Sequence, residues 1–190
     1  MSGAFDRYLS ELESGLATLS SGSRVATMLS ACERMFFVLL RPEVRGACDR
    51  AMLRKVLDSM WELQPATSPE LSIPEEFALE CLSDDLGLMA TDAILMTKGY
   101  MLDGVHSPGI ILVLAAELAN QIDAAQDTEG DGDAGLVDAF LGDPGACASI
   151  EVARQFEDIA TIAGAESDPT AWATLRARSA GQDITCQLLF

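Results

Sequence analysis

The sequence has a single histidine, His106, and only 12 Lys and Arg residues against 30 Asp and Glu, for a net charge of −18. One histidine cannot supply the usual zinc sites or the paired Glu-x-x-His motifs of a di-iron bundle. The five cysteines form no C-x-x-C pair, which favours reduced thiols over a disulfide framework. No G-x-S-x-G elbow, Walker loop or G-x-G-x-x-G motif occurs. We therefore predict a protein with no catalytic residues that is not an enzyme.

Long apolar runs are also missing, because the most apolar stretch, Ile110 to Ala116, is far shorter than the ~20 residues that a membrane crossing requires. The first residues contain neither a basic stretch nor an apolar core of an export signal, which predicts a cytoplasmic protein. Apolar residues nevertheless make up 49% of the chain. This is ample material for one core, and we expect residues 1–190 to form a single domain.

Apolar residues recur at helical spacing in the first third of the chain. The first stripe consists of Phe5, Leu9, Leu12, Leu16 and Leu19. A second helix is expected to start with Ser23 as its N-cap and to stop near Pro42. A third is expected to run from about Asp49 to the break at Pro65.

Later helices are marked by a capping residue followed by proline. Ser107-Pro108 and Asp143-Pro144 predict helices over 108–126 and 144–163, and Asp168-Pro169 opens another that ends at Gly181. Ser83-Asp84-Asp85 similarly caps a helix through Met101. No pair of strands is indicated. The expected fold is all-α, a compact single-domain bundle of about six to eight helices.

The charge is distributed unevenly. Residues 1–55 have a net charge of +2, residues 56–150 a net of −17, and residues 151–190 a net of −3. An anionic middle repels nucleic acid and anionic lipid, so direct binding to either is disfavoured and we expect neither as a partner; it attracts basic proteins. The alternative is that the acidity only keeps the protein in solution.

The densest acidic stretch runs from Asp127 to Asp138. Carboxylates fall at positions 1, 3, 5 and 12 of an EF-hand calcium loop, with Gly132 at position 6. Glu129 and Asp138 depart from the residues preferred at positions 3 and 12, and no partner loop is found. The other interpretation is an acidic loop between helices without calcium. If the protein binds a basic partner, we expect contact through Asp123, Asp127, Glu129, Asp131, Asp133 and Asp138.

The second and third helices carry charged residues that could pair across their interface. Arg34 is expected to be buried between carboxylates, where such a pairing fixes helix register more often than it supports catalysis. The predicted structural network consists of Glu33, Arg34, Asp58, Trp61 and Glu62.

The same two helices carry the sequences Cys32-Glu33-Arg34-Met35 and Arg54-Lys55-Val56-Leu57-Asp58-Ser59-Met60-Trp61-Glu62. This pattern resembles the YjaG-like proteins, a bacterial family of unknown function in which a C-E-R-M helix precedes an R-x-I-L-D-x-x-W-E helix. Asp84 to Leu88 and Gly181 to Ile184 are similar in order and spacing, whereas Phe36 to Pro42 depart from the family pattern. The resemblance implies a divergent member that is all-helical and cytoplasmic and can form a homodimer, and it implies no activity.

Two functions of different classes follow from these observations. The first is an acidic protein-interaction module, such as an immunity protein or antitoxin-like inhibitor that blocks a basic, nuclease-like protein. The second is a housekeeping YjaG-like protein with a small-ligand or calcium site and no enzymatic activity. Charge asymmetry is a property that concerns partners rather than fold, and it favours the first.

Overall fold

The computed structural model describes residues 3–41, 50–62, 85–104, 106–126, 141, 143, 146–163, 165 and 168–184. These residues form seven α-helices and no strand. The helices are α1 (Ala4–Ala17), α2 (Ser21–Leu39), α3 (Arg50–Glu62), α4 (Asp85–Asp103), α5 (Pro108–Gln126), α6 (Cys147–Ala163) and α7 (Pro169–Ser179). The predicted all-α bundle of six to eight helices is thereby confirmed for this part of the chain.

The observed caps explain where the helices begin. Ser20 has an extended backbone, and its hydroxyl accepts a hydrogen bond from the Ser23 amide at 3.2 Å. Ser20 rather than Ser23 is therefore the N-cap of α2, and the helix starts two residues earlier than Ser23. Asp168 caps α7 as predicted, since its carboxylate accepts the Thr170 amide at 2.8 Å. Hydrogen bonds from the hydroxyl and amide of Thr170 lower the pKa of Asp168.

A tight corner joins α4 to α5. Gly104 has a positive φ of 66°, and its amide donates to the Tyr100 carbonyl at 3.0 Å, which ends α4 in the left-handed conformation that glycine adopts at little cost. His106 then packs against α4, because a Cβ added at Gly99 would lie 3.2 Å from its Cδ2 atom. The single histidine therefore has a packing role at this corner.

Helix α2 lies at the centre of the bundle. It packs against α3, α4, α5, α6 and α7, and 15 of its 19 residues are buried. A helix surrounded in this way must bury its polar residues together with its apolar ones. The buried polar residues of α2 are Ser23, Thr27, Ser30, Glu33 and Arg34.

The outer helices are joined to this centre by apolar and aromatic contacts. Trp61 of α3 and Trp172 of α7 meet edge to face with ring centroids 6.0 Å apart. Tyr8 of α1 and Phe156 of α6 pack in a similar T-shaped arrangement at 6.3 Å. Such aromatic pairs add stabilisation beyond the area that they bury. Within the described ranges, no helix is both long and apolar enough to cross a membrane.

Candidate functional site

A buried ion network connects α2 to α6. The guanidinium of Arg34 is fully buried, and its Nε and Nη2 atoms donate to the two Glu151 oxygens at 2.7 and 2.8 Å. Its Nη1 atom donates to Asp158 Oδ2 at 2.8 Å. Burial alone would lower the pKa of Arg34, but the charges of Glu151 and Asp158 and their hydrogen bonds raise it above the ordinary arginine value. The bidentate pairing with Glu151 is the geometry in which arginine binds a carboxylate most strongly.

Neutral side chains complete the hydrogen bonding around this network, which we call the Arg34 network. The Ser30 hydroxyl accepts from Arg34 Nη1 at 2.8 Å and donates to Asp158 Oδ2 at 2.6 Å. The Gln155 amide donates to Glu151 Oε1 at 3.1 Å. Because every charge is met by several partners, the cost of burying it is largely offset.

Gln155 also extends the Arg34 network to two further helices. Its amide donates to the Leu112 carbonyl of α5 at 2.9 Å, and its side-chain carbonyl accepts from the Tyr8 hydroxyl of α1 at the same distance. Burial, and next the charge of Glu151, raise the pKa of Tyr8, while the bond to Gln155 acts in the opposite direction. One continuous set of hydrogen bonds therefore fixes α1, α2, α5 and α6 relative to one another.

A second ion network lies between α2, α3 and α7. The Glu33 oxygens accept from Arg54 Nη1 and Nη2, each at 2.6 Å. Arg54 also binds Asp58 one turn later on α3, at 2.7 Å, and its guanidinium lies 5.1 Å from the centre of the Phe36 ring. Arg176 of α7 pairs with the same Asp58 oxygen. We call this set the Glu33 network; it is more exposed than the Arg34 network, so each of its pairs contributes less to stability.

Helix α7 supplies one arginine to each network. Arg176 pairs with Asp58 in the Glu33 network, and Arg178 pairs with Asp158 in the Arg34 network. Both arginines lie in the last turn of α7, where positive charge also interacts favourably with the helix dipole. The two networks together attach α7 to the bundle.

The predicted structural network is therefore only partly correct in its pairing. Arg34 is buried between two carboxylates, but they are Glu151 and Asp158 rather than Asp58 and Glu62. Consecutive residues of a helix point about 100° apart, so Glu33 faces α3 while Arg34 faces α6. Glu62 is exposed. Trp61 is buried against Trp172, and its indole N–H has no hydrogen-bond partner among the described residues.

These charges are arranged for structure rather than chemistry. The side chains of Arg34, Glu151 and Asp158 are at most 1% exposed, so a substrate cannot reach them. Within the part of the chain that the structure describes, no group of three His, Cys, Asp or Glu side chains could hold a metal ion.

Asp123, the first residue of the predicted partner-binding set, lies inside the protein. It is 8% exposed, and its Oδ1 and Oδ2 atoms accept the backbone amides of Cys147 at 2.8 Å and Ala148 at 2.9 Å. The placement of Asp123 in a partner contact is thus corrected, because its carboxylate caps the N-terminus of α6 from α5. The other five members of the set, and with them the predicted calcium loop, lie outside the described residues; they are Asp127, Glu129, Asp131, Asp133 and Asp138.

Asp123→Ala is expected to lower the free energy of unfolding by about 1–2 kcal/mol, because two helix N–H groups lose their acceptor in a buried place. Urea denaturation followed by circular dichroism measures the loss. Asp103→Ala, at the exposed end of α4, is the matched control and should change stability by less than about 0.5 kcal/mol. Equal effects of the two substitutions would show that the Asp123 cap contributes nothing.

An apolar groove of about 600 Å³ lies between α1 and the first two turns of α5. Its apolar lining consists of Leu9, Leu12, Leu16, Ala17, Pro108, Gly109, Ile110, Val113 and Leu114. Glu13, Arg24 and Ser107 complete it. Ile110 is 46% exposed, which makes it one of the few large apolar side chains in the described residues that face solvent. We call this feature the α1–α5 groove.

The sequence contains a signal for this groove that none of the predicted sites includes. Ile110 to Leu114 are five consecutive apolar residues at the start of a helix. Successive helical residues point in all directions, so a single core face cannot cover five of them. Ile111 and Leu112 are buried, and Ile110 is left exposed. The apolar run at the start of α5 is therefore wider than the face that packs into the core, and it leaves apolar surface beside α1.

Comparison with known proteins gives no relative. The structure is compatible with the all-helical fold that the YjaG-like resemblance implies, but many unrelated families share such a fold. No protein-family model, no curated protein and no solved structure matches this chain, so membership of the YjaG-like family stays a prediction.

Proposed function

We propose that this protein is an acidic interaction module that binds a positively charged partner protein. The observation that carries the proposal is where the arginines lie. Four of the 12 basic residues, Arg34, Arg54, Arg176 and Arg178, are paired with four carboxylates in the two networks. These networks are neutral. The entire net charge of −18 is therefore carried by the other residues, which include eight basic and 26 acidic side chains.

Such a surface acts on partners over a distance. A strongly anionic protein raises the encounter rate with basic proteins and lowers it with nucleic acid and anionic membranes. The attraction is screened within about 8 Å at physiological ionic strength, so binding should weaken as salt is added. We propose specifically an inhibitor of immunity or antitoxin type that covers the cationic cleft of a nuclease-like protein. Such binding depends most directly on electrostatic attraction.

Two parts of the chain supply candidate contacts. In the described residues, α1 presents the exposed acids Asp6, Glu11 and Glu13 on one surface helix. The acidic sequence 127–138 connects α5 to α6, whose ends are held together by the Asp123 cap. We keep the prediction that this sequence contacts the partner through Asp127, Glu129, Asp131, Asp133 and Asp138.

The test is capture of tagged protein complexes from the cells that make this protein, at low and then high salt, with mass spectrometry of what elutes. We expect one basic protein in stoichiometric amount that is released by salt. The triple charge reversal Asp127→Lys, Asp131→Lys, Asp133→Lys should reduce its recovery by at least about tenfold. A matched triple reversal of exposed acids elsewhere, Glu62→Lys, Asp103→Lys and Glu157→Lys, separates a local contact from the general field. Recovery unaffected by salt or by either set of reversals would refute the proposal.

A small-ligand or calcium site is the second candidate function, and the α1–α5 groove is the observation that favours its small-ligand form. A cavity of about 600 Å³ lies in the size range of small-molecule sites. The calcium form is decided by calorimetry and thermal unfolding with added calcium. A ligand present at about 100 times its Kd adds about 2.7 kcal/mol to the free energy of unfolding. No heat and no shift in Tm would eliminate the calcium site.

A further inference from the structure

We infer that the α1–α5 groove binds the apolar face of a cationic amphipathic helix belonging to the partner. The inference rests on the proposed function, because it assumes that the partner is basic. The recognised surface is then formed by α1 and α5, and the recognised segment of the partner is an amphipathic helix.

The dimensions of the groove suit a helix face. Leu16 Cδ1 lies 3.8 Å from where a Cβ of Gly109 would be, so the end of α1 lies beside the start of α5. The lining of α1 extends from Leu9 to Ala17, a length of roughly 12 Å at 1.5 Å per residue. A bound helix places its apolar residues i, i+4 and i+7 over about 10 Å. Three apolar side chains of a partner therefore match the length of the groove.

The groove is apolar at its floor and still incompletely covered at its edge. Leu12 and Leu16 are 1% and 7% exposed and form the floor, where they already belong to the core. Leu9, Val113 and Leu114 are half-buried, and Ile110 is the exposed edge. A partner that covered Ile110 and the half-buried residues would remove apolar surface from water without moving the core.

The exposed carboxylate at the groove and the net charge of the protein favour a cationic occupant. Glu13 lines the groove from α1 and is exposed, with Leu9 four residues before it and Leu16 three residues after it on the same face. A Lys or Arg beside the apolar face of the partner can reach this carboxylate. The groove cation, Arg24, is partly committed, since its Nε atom donates to the Leu16 carbonyl at 2.9 Å and so binds the end of α1. The net charge of −18 acts in the same direction as Glu13.

The test uses a fluorescein-labelled peptide of about 14 residues, made of Leu and Lys with Leu on one helical face, and a shuffled peptide of the same composition. Anisotropy titrations are made at about 50 and 500 mM salt. We expect the amphipathic peptide to bind at least about tenfold more tightly than the shuffled one, because only the ordered sequence presents an apolar face. Ile110→Ser and Glu13→Lys should each weaken its binding at least about fivefold. Leu102→Ser, which changes an apolar residue that is 44% exposed on α4, should have no effect.

Each other outcome overturns the groove inference in a recognisable way. If both peptides bind equally and Ile110→Ser has no effect, the acidic surface attracts cations without the groove, and the proposed function survives. If neither peptide binds, the inference fails, while capture of a basic partner judges the proposed function independently. If laurate displaces a bound apolar dye and Arg24→Gln abolishes that displacement, the groove serves an amphipathic anion instead.

Discussion

Arg34→Met is expected to lower the free energy of unfolding by about 3–5 kcal/mol, which is a large part of the stability of a typical domain. Methionine fills a similar volume, but it leaves Glu151 and Asp158 buried without the cation that compensates them. Ser30 also loses the donor at 2.8 Å. Urea denaturation of the purified variant, followed by far-ultraviolet circular dichroism, measures the change.

The same substitution at an exposed arginine is the control for this experiment. Arg7 lies on the solvent face of α1, so Arg7→Met should change the free energy of unfolding by less than about 0.5 kcal/mol. A loss below about 1 kcal/mol for Arg34→Met would mean that the two carboxylates do not need the arginine. In that case the Arg34 network would neither fix the register between α2 and α6 nor hold α6 in the bundle, contrary to what its geometry indicates.

Most helix positions could be predicted from the sequence because their signals are local. Pro108 and Asp168-Pro169 mark the first turns of α5 and α7, where a proline lacks only an N–H that the helix does not use. The predicted range 108–126 agrees with α5 as observed. The predicted start at residue 144 is three residues before the first residue of α6. The predicted N-cap of α2 is Ser23 and the observed one is Ser20, because composition does not distinguish between serines that lie so close together.

The partners of buried charges could not be predicted because they depend on topology. Arg34 and Glu151 are 117 positions apart, and nothing in the sequence indicates that α6 rather than α3 faces Arg34. The predicted partners of Arg34 are carboxylates of the next helix, α3. In the structure the neighbouring residue, Glu33, faces α3 and pairs there with Arg54. Asp123 was misassigned for the same reason: it precedes the densest acidic stretch, but its carboxylate caps a helix that begins 24 residues later.

Raising the pH above 9 is expected to destabilise the protein, chiefly through Cys32 on α2. Burial raises the pKa of the Cys32 thiol from 9.0 to about 12, although its contact with Thr97 Oγ1 at 3.3 Å opposes the shift. Between these values the unfolded chain loses the thiol proton and the folded protein keeps it, so unfolding becomes easier as pH rises. The stabilising contribution is complete below pH 9 and falls by about 4 kcal/mol by pH 12. Tyr8, whose pKa is also raised by burial, adds to the loss above pH 10.

Cys32→Ser separates the thiol from every other group that titrates in this range. Serine is close in size and does not ionise, so the variant should lose about 2–3 kcal/mol less than the original protein between pH 8 and pH 11. Tyr8→Phe should flatten the curve only above pH 10, because tyrosine in the unfolded chain keeps its proton below that value. Urea denaturation at a series of pH values gives both curves. Parallel curves for Cys32→Ser and the original protein would show that the thiol ionises as readily in the folded state as in the unfolded chain, and would contradict the raised pKa of this buried sulfur.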